Sequence, residues 1–178
     1  MLTYPVYIIL EGRDVLVVGG GDVALRKIES LLEAGARVKA VALDVDERIS
    51  ALAKARPELT VEIRGYLKGE AARYFLIVAA TNSEETNKAV ASDAAEAGRL
   101  VNVVDQPELC NFIVPSVFRR GDLSVAISTG GASPALSRRI RQRLEAAFPE
   151  RFAVLVELLA ELRSELQRTV PDFEERGE

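Results

Sequence analysis

Three consecutive glycines between an apolar run and an amphipathic stretch constrain this chain more than any other feature. Val15–Val18 reads as a short buried strand, Gly19-Gly20-Gly21 follows at once, and Asp22-Val23-Ala24 opens a helix. The string fits G-x-G-x-x-A. The first glycine allows a tight turn, the second lets a pyrophosphate approach the backbone, and a small residue at the last position lets helix and strand pack closely. Free N–H groups at the helix start then face phosphate oxygens. A purely structural glycine turn is the alternative. A strand before the motif, a helix on it and a further strand behind it favour the dinucleotide reading.

The rest of the pattern is built around that unit. The spacing predicts a helix over Asp22–Ala34 stopped by Gly35, a strand over Val38–Leu43 and a short helix over Asp46–Ala55 ended before Pro57. Strands are predicted at Thr60–Ile63, Phe75–Ala80 and Leu100–Val104, with a helix over Ser83–Ala97 between the last two. Such alternation means an α/β, Rossmann-type, doubly wound parallel sheet. After Asp105 the pattern changes. Phe112–Phe118 and Leu123–Ser128 flank Arg119-Arg120-Gly121-Asp122, a β-hairpin signal. Ser133-Pro134 then starts a helix to about Phe148, and a last helix spans about Arg151–Arg168, with the tail PDFEERGE frayed. The expected division is an NAD-binding domain over 1–111, a dimerisation and substrate segment over 112–148, and a C-terminal helix with tail over 149–178. The hairpin and helices are too few to bury a core alone, so a homodimer is expected.

Composition narrows the chemistry. No histidine is present, which excludes Ser-His-Asp and Cys-His catalysis and every histidine metal cage. Cys110 is the only cysteine, so there is no disulfide framework. No apolar run reaches the ~20 residues of a membrane span, and the opening residues lack a signal-peptide pattern, so the cytoplasm is expected. A net charge of −4 argues against nucleic acid as a partner. A short-chain dehydrogenase needs a lysine four residues after its tyrosine, and none of the four tyrosines has one.

Candidate site residues follow from the C-terminal edge of the expected sheet, where ligands bind in such folds. Leu43 and Asp44 end the second strand, and a carboxylate there accepts the ribose hydroxyls of NAD and repels the 2′-phosphate of NADP. Asp44 as a cap of the following helix is the alternative, and the neighbourhood holds no arginine suited to a 2′-phosphate until Arg48. Thr81 and Asn82 follow the fourth strand, and Asn102 and Asp105 close the fifth. Asp105 is the best-placed proton acceptor in a chain without histidine, with a simple turn as the other reading. Replacement of Asp93, on the preceding helix, by asparagine is expected to do little. Ser128-Thr129-Gly130-Gly131 is a second glycine-rich stretch before a helix and a second anion nest. Six arginines (119, 120, 138, 139, 141 and 143) stand between Leu109 and Leu144 against one acid, Asp122. Arg138 and Arg141 are candidate partners of a polyanionic substrate, with a solvated helix face as the alternative.

Taken together, Tyr4-Pro5, VLVVGGGDVALRK, AATN at 79–82, VNVVD at 101–105, CNFIVPS and ISTGGASPALSRRIR resemble the precorrin-2 dehydrogenase family, the NAD-binding region of siroheme synthases. The resemblance covers about residues 4–150. It implies NAD-dependent oxidation of precorrin-2 to sirohydrochlorin, and some members also insert ferrous iron to give siroheme. It places cofactor contacts on Asp22-Val23 and Leu43-Asp44. It gives Asp105 a role in both reactions, with at most transient metal contact and no resident metal. It implies a homodimer that exchanges elements between small domains, here in a stand-alone form without the methyltransferase domain. A non-catalytic, dimeric NAD-sensing module is the competing reading; it leaves the arginines and STGGASP without a role.

Overall fold

The computed structural model describes residues 3–169. It falls into two compact units, one of residues 6–114 and one of residues 3–5 with 115–169. The tail expected to fray, PDFEERGE, lies outside the described residues.

The first unit is a five-stranded parallel sheet built from β1 (Asp14–Val18), β2 (Arg37–Ala42), β3 (Leu59–Ile63), β4 (Leu76–Ala79) and β5 (Leu100–Val103). Its order is β3-β2-β1-β4-β5. The chain leaves β1 toward one edge and returns to the other side of β1, so the switch point lies between β1 and β4. Helices α1 (Asp22–Glu33), α2 (Glu47–Ala55) and α3 (Glu84–Glu96) cover the faces.

Strand periodicity explains the two layers. Val15 and Val17 point to one face and pack with Ile28 and Leu32 of α1 and Ile49 of α2. Leu16 and Val18 point to the other and pack with Val90, Ala91 and Ala94 of α3. Burial on both faces is why Val15–Val18 of β1 and all of β4 are unbroken apolar runs. The β3–β4 connection carries only a 3₁₀ turn at Glu70–Arg73.

Two sequence boundaries shift for identifiable reasons. Strand β2 ends at Ala42, so Leu43 and Asp44 are its first loop residues. Residues 112–115 form no strand; the chain at Asn111 and Phe112 bonds instead to β5. The Asn111 side chain accepts from Val101 N at 2.8 Å and donates to Arg99 O at 2.7 Å, while Asn111 N donates to Val101 O at 3.1 Å. Asn111 thereby satisfies the outer edge at Arg99 and Val101, and Cys110 Sγ does the same at Val103.

In the second unit β6 (Ser116–Arg120) and β7 (Leu123–Ile127) form an antiparallel hairpin with Arg120 opposite Leu123. The two-residue loop puts Gly121 at φ 55°, the left-handed first position that tight hairpins give to glycine. Helix α4 (Pro134–Ala147) starts at Ser133, whose hydroxyl accepts from Leu136 N at 3.2 Å, and α5 (Arg151–Thr169) follows. Phe118, Phe148 and Phe152 stack between them, at centroid spacings of 5.9 and 5.0 Å. No residue of α5 is buried, and Val154, Leu155, Leu158, Leu159 and Leu162 are all exposed. Among the described residues no helix is long and apolar enough to cross a membrane.

Candidate functional site

The glycine loop lies at the switch point, and each glycine has its own reason. Gly19 has φ 135°, and a Cβ there would meet Ala80 O at 2.2 Å. A Cβ on Gly20 would meet Asp44 O at 2.0 Å. These two glycines let the loop settle between the segments after β2 and β4. Gly21 differs: a Cβ there would find nothing within 4 Å. It is the N-cap residue of α1 and offers no side-chain cap, so the first N–H groups of the helix stay available. Open space in front of uncapped donors is what a dinucleotide pyrophosphate requires, so this corner fits such a cofactor.

A cleft of about 680 Å³ opens there, lined by Gly19, Gly20, Gly21, Asp22, Val23, Leu43, Asp44, Thr81 and Asn82. Those nine expected cofactor residues therefore come together. Asp44 is exposed, and among the described residues its Oδ1 accepts only from Val45 N, at 3.0 Å. The cap of α2 is Asp46 instead, whose Oδ1 accepts from Arg48 N at 2.8 Å. Asp44 is thus free of the capping role that its position also allowed. Hydrogen bonds from Arg48 hold the Asp46 carboxyl down at about 2.

Sequence reasoning missed one wall of the cleft, formed by Arg64, Gly65 and Tyr66 after β3. Their place at a strand's C-terminal end was the available signal. Arg64 Nη1 and Nη2 donate to Glu70 at 2.9 and 2.6 Å, and Nε to Glu62 at 2.7 Å. Arg64 holds the Glu70 carboxyl below the usual range, although burial opposes it. The Tyr66 hydroxyl donates to Asp93 Oδ2 at 2.6 Å; burial first, then that carboxylate, raises its pKa. Asp93, whose replacement was expected to do little, is only 8% exposed and also accepts from Gly69 N. It anchors the β3–β4 loop. Behind Thr81, buried Asn87 donates to Thr81 O at 3.1 Å and accepts from Thr81 Oγ1 at 2.8 Å, fixing the segment after β4.

Asp105 sits in the turn after β5, closed by Gln106 N to Val103 O at 3.3 Å. Its φ of 59° makes it the one non-glycine residue with positive φ among those described. It is exposed, and no hydrogen bond to its carboxylate is found among the described residues. Backbone cost of this kind concentrates at functional sites. Cys110 holds the turn from beneath: Sγ accepts from Val103 N at 3.1 Å and lies 3.3 Å from Gln106 O. Asn102 belongs to this scaffold, with Nδ2 donating to Phe112 O at 3.1 Å, and it does not line the glycine cleft.

In the second unit the Ser128–Gly131 stretch turns largely on itself. Ser128 Oγ accepts from Gly130 N at 3.1 Å, Thr129 Oγ1 from Ser133 N at 3.0 Å, and Gly130 and Gly131 have φ of 62° and 87°. Arg138 is exposed at the start of α4. Arg141 pairs with Glu145, one turn on and just outside the acid-poor segment. Arg120 is structural: Nε donates to Phe148 O at 3.0 Å, capping the end of α4.

Known proteins are similar to this chain in sequence and architecture. A family model described as putative NAD(P)-binding matches residues 6–116, and one described as the central part of a sirohaem biosynthesis protein matches residues 120–147. The siroheme synthases of Nitrosomonas europaea and Methylococcus capsulatus are 42% and 40% identical over 92% and 94% of this chain. The chain spans 34% and 35% of their lengths, about a third. The structure of SirC, a precorrin-2 dehydrogenase, is 35% identical with a TM-score of 0.84, over 98% of this chain and 85% of that one.

Proposed function

As a member of the precorrin-2 dehydrogenase family, this chain is, we propose, an NAD-dependent enzyme that oxidises precorrin-2 to sirohydrochlorin in siroheme formation. The observation that carries the reading is Asp105: an exposed, unshared carboxylate held in a left-handed conformation at the ligand edge of a dinucleotide fold.

The oxidation removes two hydrogens from the substrate. When bound, the dinucleotide supplies the hydride acceptor. The uncapped start of α1 and the space at Gly21 receive its pyrophosphate, and Asp44 takes the adenine ribose hydroxyls, favouring NAD. Asp105 accepts the proton that departs as the hydride leaves. Precorrin-2 carries eight carboxylates, and exposed Arg138 and its neighbours on α4 supply charge-assisted hydrogen bonds of the kind these require. The Ser128–Gly131 nest adds backbone donors. Arg141 joins only by releasing Glu145.

The same carboxylate supports a second step. Insertion of ferrous iron, here a substrate, displaces two pyrrole protons, which Asp105 accepts one at a time, passing the first to water before taking the second. The exposed apolar stripe of α5 supports a homodimer, with a second copy of the chain covering it. Cytoplasmic location agrees with a reaction that draws on a soluble nucleotide.

The test is an anaerobic assay of the purified chain with precorrin-2 and NAD⁺, followed by ferrous iron. Absorption spectra report each step separately. Nucleotide binding with no substrate oxidation would return the chain to the NAD-sensing alternative.

A further inference from the structure

One guanidinium, Arg64, lines the cleft, a second, Arg48, bonds two carboxylates that line it, and both are already claimed. Arg48 forks onto Asp46, with Nε 2.9 Å from Oδ1 and Nη2 2.6 Å from Oδ2, and Nη2 also bonds Asp22. Arg64 is held between Glu62 and Glu70. At the ribose corner itself Asp22, Asp44 and Asp46 line the cleft, and Arg48 is the cation bonded to two of them. Three carboxylates against one guanidinium leave an excess of two negative charges.

Arg48 is the second residue of α2, at the positive end of that helix. An arginine beside a helix N-terminus, next to the carboxylate that meets the ribose, is a ready seat for a phosphate dianion. In this chain Asp46 fills that seat. It satisfies Arg48 N as the helix cap, and its two oxygens take the fork of the side chain. Its own N–H donates to Gly20 O at 2.8 Å, which fixes it against the glycine loop.

We propose that Asp46 is a cofactor-specificity residue: by capping α2 and clamping Arg48 together, it withholds the arginine that would otherwise receive the 2′-phosphate of NADP. Selection of NAD is then set by the Asp46–Arg48 pair as well as by Asp44. The inference rests on the reading of the cleft as a dinucleotide site. It depends on geometry rather than on a strong ion pair. The Arg48 side chain is 60% exposed and its partners Asp22 and Asp46 are 75% and 25% exposed, and ion pairs with so solvated a guanidinium contribute little to folding stability. Arg48 is therefore releasable without unfolding the domain.

The experiment is calorimetric titration of the full chain with NAD⁺ and with NADP⁺, for the parent, Asp46→Ser and Asp46→Ser/Arg48→Met. Serine keeps a helix cap and removes the charge and the fork. The expected result is a shift of the NAD⁺/NADP⁺ affinity ratio toward NADP⁺ by about tenfold in Asp46→Ser, abolished in the double variant, as loss of one charge-assisted contact requires. An unchanged ratio, or a gain that persists without Arg48, overturns the proposal. If Asp46→Ser does not fold, Asp46→Asn, which also caps, reads the same ratio. A parent chain that binds neither nucleotide overturns the dinucleotide reading itself, and this is seen before any substitution is made.

Discussion

Replacing Asp105 with glycine should make chemistry and stability part company. The φ of 59° is a region that L-residues enter at a cost of roughly 1–2 kcal/mol and glycine enters freely. Glycine loses more backbone entropy on folding, by about 0.5–1 kcal/mol, so the two effects nearly cancel or leave a small gain. The carboxylate makes no hydrogen bond among the described residues, so its removal forfeits no partner. Asp105→Gly is therefore expected to melt at or slightly above the parent temperature. Asp105→Ala keeps a Cβ in the unfavourable region without aspartate's local tolerance, and is expected to lose about 1 kcal/mol, or about 2–4 °C in a domain of this size. Both variants should lose at least about 10²-fold in precorrin-2 oxidation, the lower range for loss of a general base. Their NAD⁺ affinity should hold, since Asp105 does not line the glycine cleft. Differential scanning calorimetry and anaerobic kinetics on the same preparations read the two axes. A glycine variant that turns over within threefold of the parent would make Asp105 a turn residue only. One that melts several degrees lower would mean that its side chain holds the fold.

Three further outcomes follow from the same geometry. Gly20→Ala should fail to fold normally, because its Cβ meets Asp44 O at 2.0 Å, whereas Gly21→Ala should fold and lose NAD⁺ binding, because its Cβ enters open space needed by phosphate; melting curves and titration separate the two. The Glu70 carboxyl is held low in the folded state, so its pairing stabilises above the ordinary value of 4.5 and that contribution is lost as pH falls through the folded value beneath it. Glu70→Gln should cost about 2 kcal/mol at pH 7, less than a fully buried pair because Arg64 is partly exposed, and should flatten the acid limb below pH 4.5 in urea melts at each pH. Leu158→Glu with Leu162→Glu on the exposed face of α5 should convert a dimer to monomer by light scattering with the cofactor unit still folded; an unchanged mass would remove α5 from the interface.

The sheet and the glycine loop were legible because their signals are local. Apolar runs of four to six residues, a glycine triplet and a serine cap are each read within one turn or strand. Asp44, Thr81 and Asn82 followed from the rule that ligands meet the C-terminal ends of the strands. What stayed hidden depends on partners far apart in sequence. Tyr66 meets Asp93 across 27 residues, and no pattern marks that helix position as a buried anchor rather than a surface acid. The choice of Asp46 over Asp44 as the α2 cap turns on where β2 stops. Arg141 looked free because Glu145 lies just past the acid-poor segment, and Arg120 looked like part of a cationic patch because the carbonyls it caps have no sequence signature.

Asn111 has a consequence for how the chain is made. Because Asn111, together with Cys110 before it, finishes the outer hydrogen bonds of β5, the edge strand is closed by a segment of the same chain only eight residues beyond its end at Val103. During synthesis the cofactor unit can seal that edge as soon as this segment leaves the ribosome, before α4 and α5 exist to protect anything. Nascent chains on neighbouring ribosomes then meet a blocked border rather than an open strand, which removes one route to co-aggregation on a polysome.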